Sequence, residues 1–149
     1  MAVIERLAQT LVPSIEKLKH LRRNTDVPVG TRLGQALRQL VSLACEEPEF
    51  GMFIARVGAE RGEKLDTLIE KLLRPYHDAF KPLLVEAMRE KVIPKQPVEV
   101  LYCMLTHAVS ITVSYRHILE SFSGPVQSTE KLKAAITNCI LATFLGETP

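Results

Sequence analysis

Val100–Tyr115, VLYCMLTHAVSITVSY, is the stretch on which the fold turns. It holds no charge, no Gly and no Pro, and apolar or small residues point in every helical direction. A surface helix keeps one polar face, so this pattern predicts a helix covered on all sides. The stretch is too short to span a membrane, and Arg116, His117 and Glu120 follow it at once. Two stripes run along it at steps of three and four. Cys103, Thr106, Ser110, Ser114, His117 and Ser121 are small or weakly polar; Val100, Met104, His107, Ile111, Tyr115, Ile118 and Phe122 are bulkier. The small stripe suits close approach of another helix, and the bulky one suits a core or a cavity.

The whole chain has 149 residues, 46% of them hydrophobic and 24% charged, which suits one folded domain over 1–149. A net charge of +2 excludes a strongly electrostatic nucleic-acid or membrane partner. Cys45, Cys103 and Cys139 are far apart, lie in apolar helical patterns and form no CxxC. They read as reduced core thiols of a cytoplasmic protein, and no signal peptide opens the chain. There is no repeat and no low-complexity tract.

Elsewhere the helical period recurs. Ile4, Leu7, Leu11, Ile15, Leu18 and Leu21 share one face of a first helix that begins without a start signal, with a kink expected at Pro13. Its basic end, Lys17 to Arg23, suits the helix dipole better than a phosphate site. Asn24–Gly30 reads as a loop, and Thr31 as the cap of a second helix carrying Leu33, Ala36, Leu37, Leu40, Val41 and Ala44. Pro48 opens a short third helix. A long fourth runs from Glu63 to about Val92, its apolar face continuous across Pro75 and Pro82. After VIPKQP comes the buried helix, Val98–Phe122. A turn at Ser123–Pro125 leads to a last helix capped by Ser128 or Thr129 and ended by Gly146. The expectation is an all-α bundle of six orthogonal and antiparallel helices, with no strand.

No catalytic constellation survives inspection, so an enzyme is not expected, nor is a cofactor or a metal. Cys103 and His107 are one turn apart, but a core histidine beside a core thiol is the better reading than half a metal site. His77 and Asp78 are adjacent and read as a solvated pair. No phosphate loop and no nucleophile motif is present. More informative are Phe53, Tyr76, Phe80, Met88 and Met104, on inward faces of three helices. Core packing explains each alone. Together with Leu84 and His107, beside a helix loosened by two prolines, they are the candidate walls of a mainly apolar cavity.

The order of elements resembles the C-terminal, ligand-binding and dimerisation domain of tetracycline repressor (TetR) family transcription regulators. AVIERLAQTL corresponds to the linking helix, EEPEFGMFIARVGAER to the short Pro-Glu-Phe helix, and LLVEAMREKVIPKQPVEVL to the end of the long helix and the junction, followed by two apolar helices. The resemblance spans essentially the whole chain, and its most specific part is REKVIPKQPVE. It implies a small apolar effector, a homodimer, and DNA contact only through an N-terminal helix-turn-helix domain that this chain lacks. The helical start reads as a cut within the linking helix, from a truncated form or a natural protein without the DNA-binding part. A dimerising helical adaptor that binds only protein partners is the alternative function.

The last two helices carry more apolar faces than one subunit can cover. Ser110, Ser114, Ala135, Ile136, Cys139, Ile140 and Thr143 are the candidate seam of a two-fold four-helix interface.

Overall fold

The structure is a computed structural model and describes residues 2–125 and 128–146. Among these residues it is all-helical, with no strand. The order is α1 (Ala2–Arg23), α2 (Val29–Glu46), α3 (Pro48–Gly58), α4 (Glu63–Leu68), a π-helical turn (Ile69–Leu73), α5 (Arg74–Arg89), α6 (Val98–Ser114), α7 (Arg116–Ser123) and α8 (Thr129–Leu145). No single helix among the described residues is long and apolar enough to cross a membrane.

The central helix is α2, which packs against α1, α3, α5, α6 and α8. Its apolar stripe is wide, with Val29, Leu33, Ala36, Leu37, Leu40, Val41 and Ala44 all buried. That breadth lets neighbours approach from several sides. The helix begins two residues before Thr31, with Arg32 N–H bonded to the Pro28 carbonyl. Thr31 is therefore an exposed residue inside the first turn and not a cap.

The helix expected at the centre, α6, lies on the outside of the chain. Only Leu101, Leu105, Val109 and Val113, one residue per turn, are buried, while Val100 is 57% and Met104 60% exposed. A helix apolar all round needs cover, but composition does not say whether its own chain provides it. The helix also stops short of Phe122. At Tyr115 the backbone leaves helical angles (φ −108, ψ 34), and α7 departs at 71°. Arg116 holds the bend by donating to Glu120 and to Thr129 at the start of α8.

The long helix is likewise interrupted. Arg74 N–H bonds to the Ile69 carbonyl five residues back, the signature of a π turn, directly before Pro75. The chain runs helically through Pro82 and through Pro13. The end of α5 is a Schellman motif: Val92 N–H reaches the Ala87 carbonyl and Lys91 N–H the Met88 carbonyl. Lys91 takes the left-handed position (φ 61) where glycine is usual. Pro48 at the start of α3, the Ser128 side chain accepting from Lys131 N–H, and left-handed Gly146 stand where the sequence puts them.

The cysteines do not lie in the core. Cys45 is half-buried and Cys103 and Cys139 are exposed, all three as free thiols.

Candidate functional site

A cavity of about 420 Å³ lies between α1, α2, α3, the π turn, α5 and α6. Its walls are predominantly apolar: Leu11 of α1, Leu40 and Leu43 of α2, Phe50 and Ile54 of α3, and Ile69, Leu72 and Leu73 of the π turn. The spacing of the last three explains their shared wall. They stand at i, i+3 and i+4, so they share one helical face ahead of Tyr76. The remaining long wall is α6, through Tyr102, Cys103, Thr106, His107, Ser110 and Ser114. Exposed Arg74 and Glu99 mark where the cavity reaches solvent.

One crossing sets its depth. A Cβ on Gly51 would stand 2.7 Å from the Ser114 hydroxyl oxygen and 3.1 Å from the Ser110 carbonyl, so α3 reaches α6 only because Gly51 has no side chain. Ser114 seals the crossing by donating to the Pro48 carbonyl at 2.7 Å. Here Ser110 and Ser114, expected at a seam between subunits, permit close approach of a helix from the same chain.

At the opposite end of α6, Glu99 is the hub of an ion cluster. It accepts from Lys81 Nζ at 2.6 Å and pairs with His77 Nε2, while His77 Nδ1 lies 2.9 Å from Asp78. The adjacent pair thus meets directly, and a residue twenty-two positions away completes it. Burial opposes the charge on His77, but the hydrogen bonds and charges of Asp78 and Glu99 outweigh it, and the net shift is upward. Lys81 and then His77 hold the Glu99 carboxyl below its usual range. The His77 ring stands edge-on to Tyr102, with centroids 4.9 Å apart. This cluster ties α5 to α6 at the cavity mouth.

Of the residues expected on the cavity wall, Tyr76 and His107 are there. Phe80 and Leu84 are fully buried in the core behind it, Phe80 with its ring centroid 6.0 Å from those of both Tyr76 and Tyr102. Phe53 and Met88 are partly buried against the core, and Met104 points outward. His107 is exposed, not a core histidine, and its Nδ1 bonds the Cys103 carbonyl at 2.6 Å and not the thiol. Among the described residues no group of three or more His, Cys, Asp or Glu side chains is arranged to hold a metal ion. Sequence reasoning missed Tyr102, Thr106, Gly51 and the π-turn leucines. Only the helix crossings bring these together, although the spacing of Tyr102 and Thr106 puts them on one face.

The seam candidates divide. Ile136 and Ile140 are each 8% exposed, within the chain's own core, whereas Ala135, Cys139 and Thr143 face outward on α8. Phe122 (83%), Met104 (60%), Val100 (57%) and Ile118 (47%) add exposed apolar surface on α6 and α7.

A scan against protein-family models and searches of curated proteins and solved structures find no match to this chain.

Proposed function

We propose that this chain is a regulatory domain that binds a small, mainly apolar effector and dimerises, in the manner of the C-terminal domain of a TetR-like repressor. The cavity is the observation that carries the reading. At about 420 Å³ it falls in the range of small-molecule sites and is lined by apolar side chains with a few polar groups at fixed places. Leu11 puts α1 on its wall, so an occupant touches the helix that corresponds to the link to a DNA-binding domain. A ligand that favours one placement of α1 over another shifts the population of the two, and through α1 the spacing of attached DNA-reading heads. The outward residues of α6 and α8 form the dimer surface.

The test is thermal unfolding of the chain against a panel of neutral apolar compounds. Binding to the folded state raises the midpoint in proportion to the logarithm of ligand concentration. A panel that leaves the midpoint unmoved contradicts the effector reading.

A second reading has its own support. Phe122, Met104 and Val100 offer apolar surface to a protein partner, as a helical adaptor does. Saturable small-molecule binding inside the cavity separates the two.

A further inference from the structure

Two phenol hydroxyls stand out among the polar groups of the cavity wall. Tyr76 is 7% exposed, and among the described residues neither its hydroxyl nor that of Tyr102 has a hydrogen-bond partner. The other polar groups near them are engaged. Thr106 donates to the Tyr102 carbonyl, Arg74 to Glu70, and His77 and Lys81 to Glu99. Neither hydroxyl is sealed off, since Gln39 Oε1 is the one fully buried side-chain polar atom without a partner among the described residues. Both phenols are therefore reachable donors on a mainly apolar wall, where a ligand's acceptor gains most from meeting them.

We propose that the cavity selects a neutral apolar molecule with one hydrogen-bond-accepting oxygen, such as a ketone, ester or ether, held by the hydroxyls of Tyr76 and Tyr102. This rests on the effector reading above and names its ligand class. Burial raises both phenols well above their ordinary value, so both remain protonated donors at any physiological pH. Each ring packs against Phe80, with centroids 6.0 Å apart, which fixes both against the core. The ligand's apolar part then lies along Leu72, Leu73, Leu40 and Ile54.

The charges argue against an ionic ligand. Among the described wall residues no lysine or arginine is left for a carboxylate, since Arg74 is paired with Glu70, and His77 sits between Asp78 and Glu99. An ammonium would need Glu47, the wall's carboxylate without an ion pair, which lies at the far end beside Pro48 and Ser114. Ser114 stands twelve positions beyond Tyr102 on α6, about 18 Å along the axis. At about 30 Å³ per water-sized group, the volume suits a ligand of roughly a dozen non-hydrogen atoms or more.

The experiment measures binding of methyl nonyl ketone, undecane, decanoate and decylamine to the full chain, and repeats it with Tyr76→Phe and Tyr102→Phe. The ketone is expected to bind about fivefold tighter than undecane, the worth of one net hydrogen bond. Each substitution should reduce that preference and leave undecane within about twofold of wild type. Ketone and alkane binding alike to the wild type overturns the ligand class while the cavity reading stands. So does a preference for decanoate or decylamine, or a ketone preference that survives both substitutions. Failure of all four to bind overturns the cavity reading as well.

Discussion

Arg32 holds Glu86 with both arms of its guanidinium, Nη1 to Oε2 at 3.0 Å and Nη2 to Oε1 at 2.6 Å. The same side chain donates to the Val27 carbonyl at 2.7 Å and the Leu21 carbonyl at 3.4 Å. One arginine, 2% exposed, thereby joins the end of α1, the following loop, α2 and α5. The planar fork matches a carboxylate in a way that lysine cannot.

Glu86→Gln is expected to destabilise the fold by about 3 kcal/mol, since it leaves a buried guanidinium without its counter-charge. Arg32 holds the Glu86 carboxyl below the ordinary value of 4.5. The stabilisation is therefore present above pH 4.5 and is lost as pH falls through the lower folded value. Chemical denaturation of both proteins across the acid range checks this. The stability gap should narrow as the wild-type carboxylate is protonated.

At the α3–α6 crossing, Gly51→Ala should cost about 1–3 kcal/mol through overpacking. Its new Cβ meets the Ser114 oxygen at 2.7 Å, so Ser114→Ala in the same chain should recover part of the loss. Strictly additive effects in the double mutant would show that the two residues do not meet.

The His77 cluster gives the opposite pH signature on the alkaline side. The His77 pKa is raised above 6.5, so its contribution is complete below that value and fades as pH rises through the higher folded one. Glu99 is depressed below 4.5, and its share is lost only as pH falls through that lower value. The α5–α6 tie is thus strongest at pH 4.5 to 6.5, where both groups are charged. Replacing His77 with Gln should flatten the decline in the unfolding midpoint above that window. A wild-type midpoint that does not decline above it counts against the cluster.

The features read correctly from sequence are those set by near neighbours. Pro48, Ser128 and Gly146 act within one helical turn of themselves, and the faces of α1 and α2 follow from their period. What depends on distant residues was not legible. Tyr115 breaks α6 without a glycine or proline, and a π turn precedes Pro75. Val100 and Met104 are apolar yet exposed, because pattern alone cannot tell a core face from a partner face. The cavity was expected, but Tyr102 and the His77–Glu99 tie emerge only once α5 and α6 are set side by side.

That ambiguity on α8 can be tested with two neighbouring positions. Ala135 is exposed and Ile136 is 8% exposed. If α8 forms the two-fold seam, the wild type sediments as a dimer and Ala135→Glu as a folded monomer. Ile136→Glu should unfold the chain, because it places an unpaired charge in the core. A monomeric wild type, or a dimer unaffected by Ala135→Glu, removes α8 from the interface.

The central claim is that the cavity is a binding site, and its most direct measurement is a titration with N-phenylnaphthylamine, a neutral apolar fluorophore. The wild type should bind one molecule per chain with saturable enhancement of fluorescence. Thr106→Trp, which places an indole in the cavity, should abolish that binding while keeping helicity and unfolding midpoint near those of the wild type. Equal binding by the two proteins, or no saturable binding by the wild type, would contradict the account.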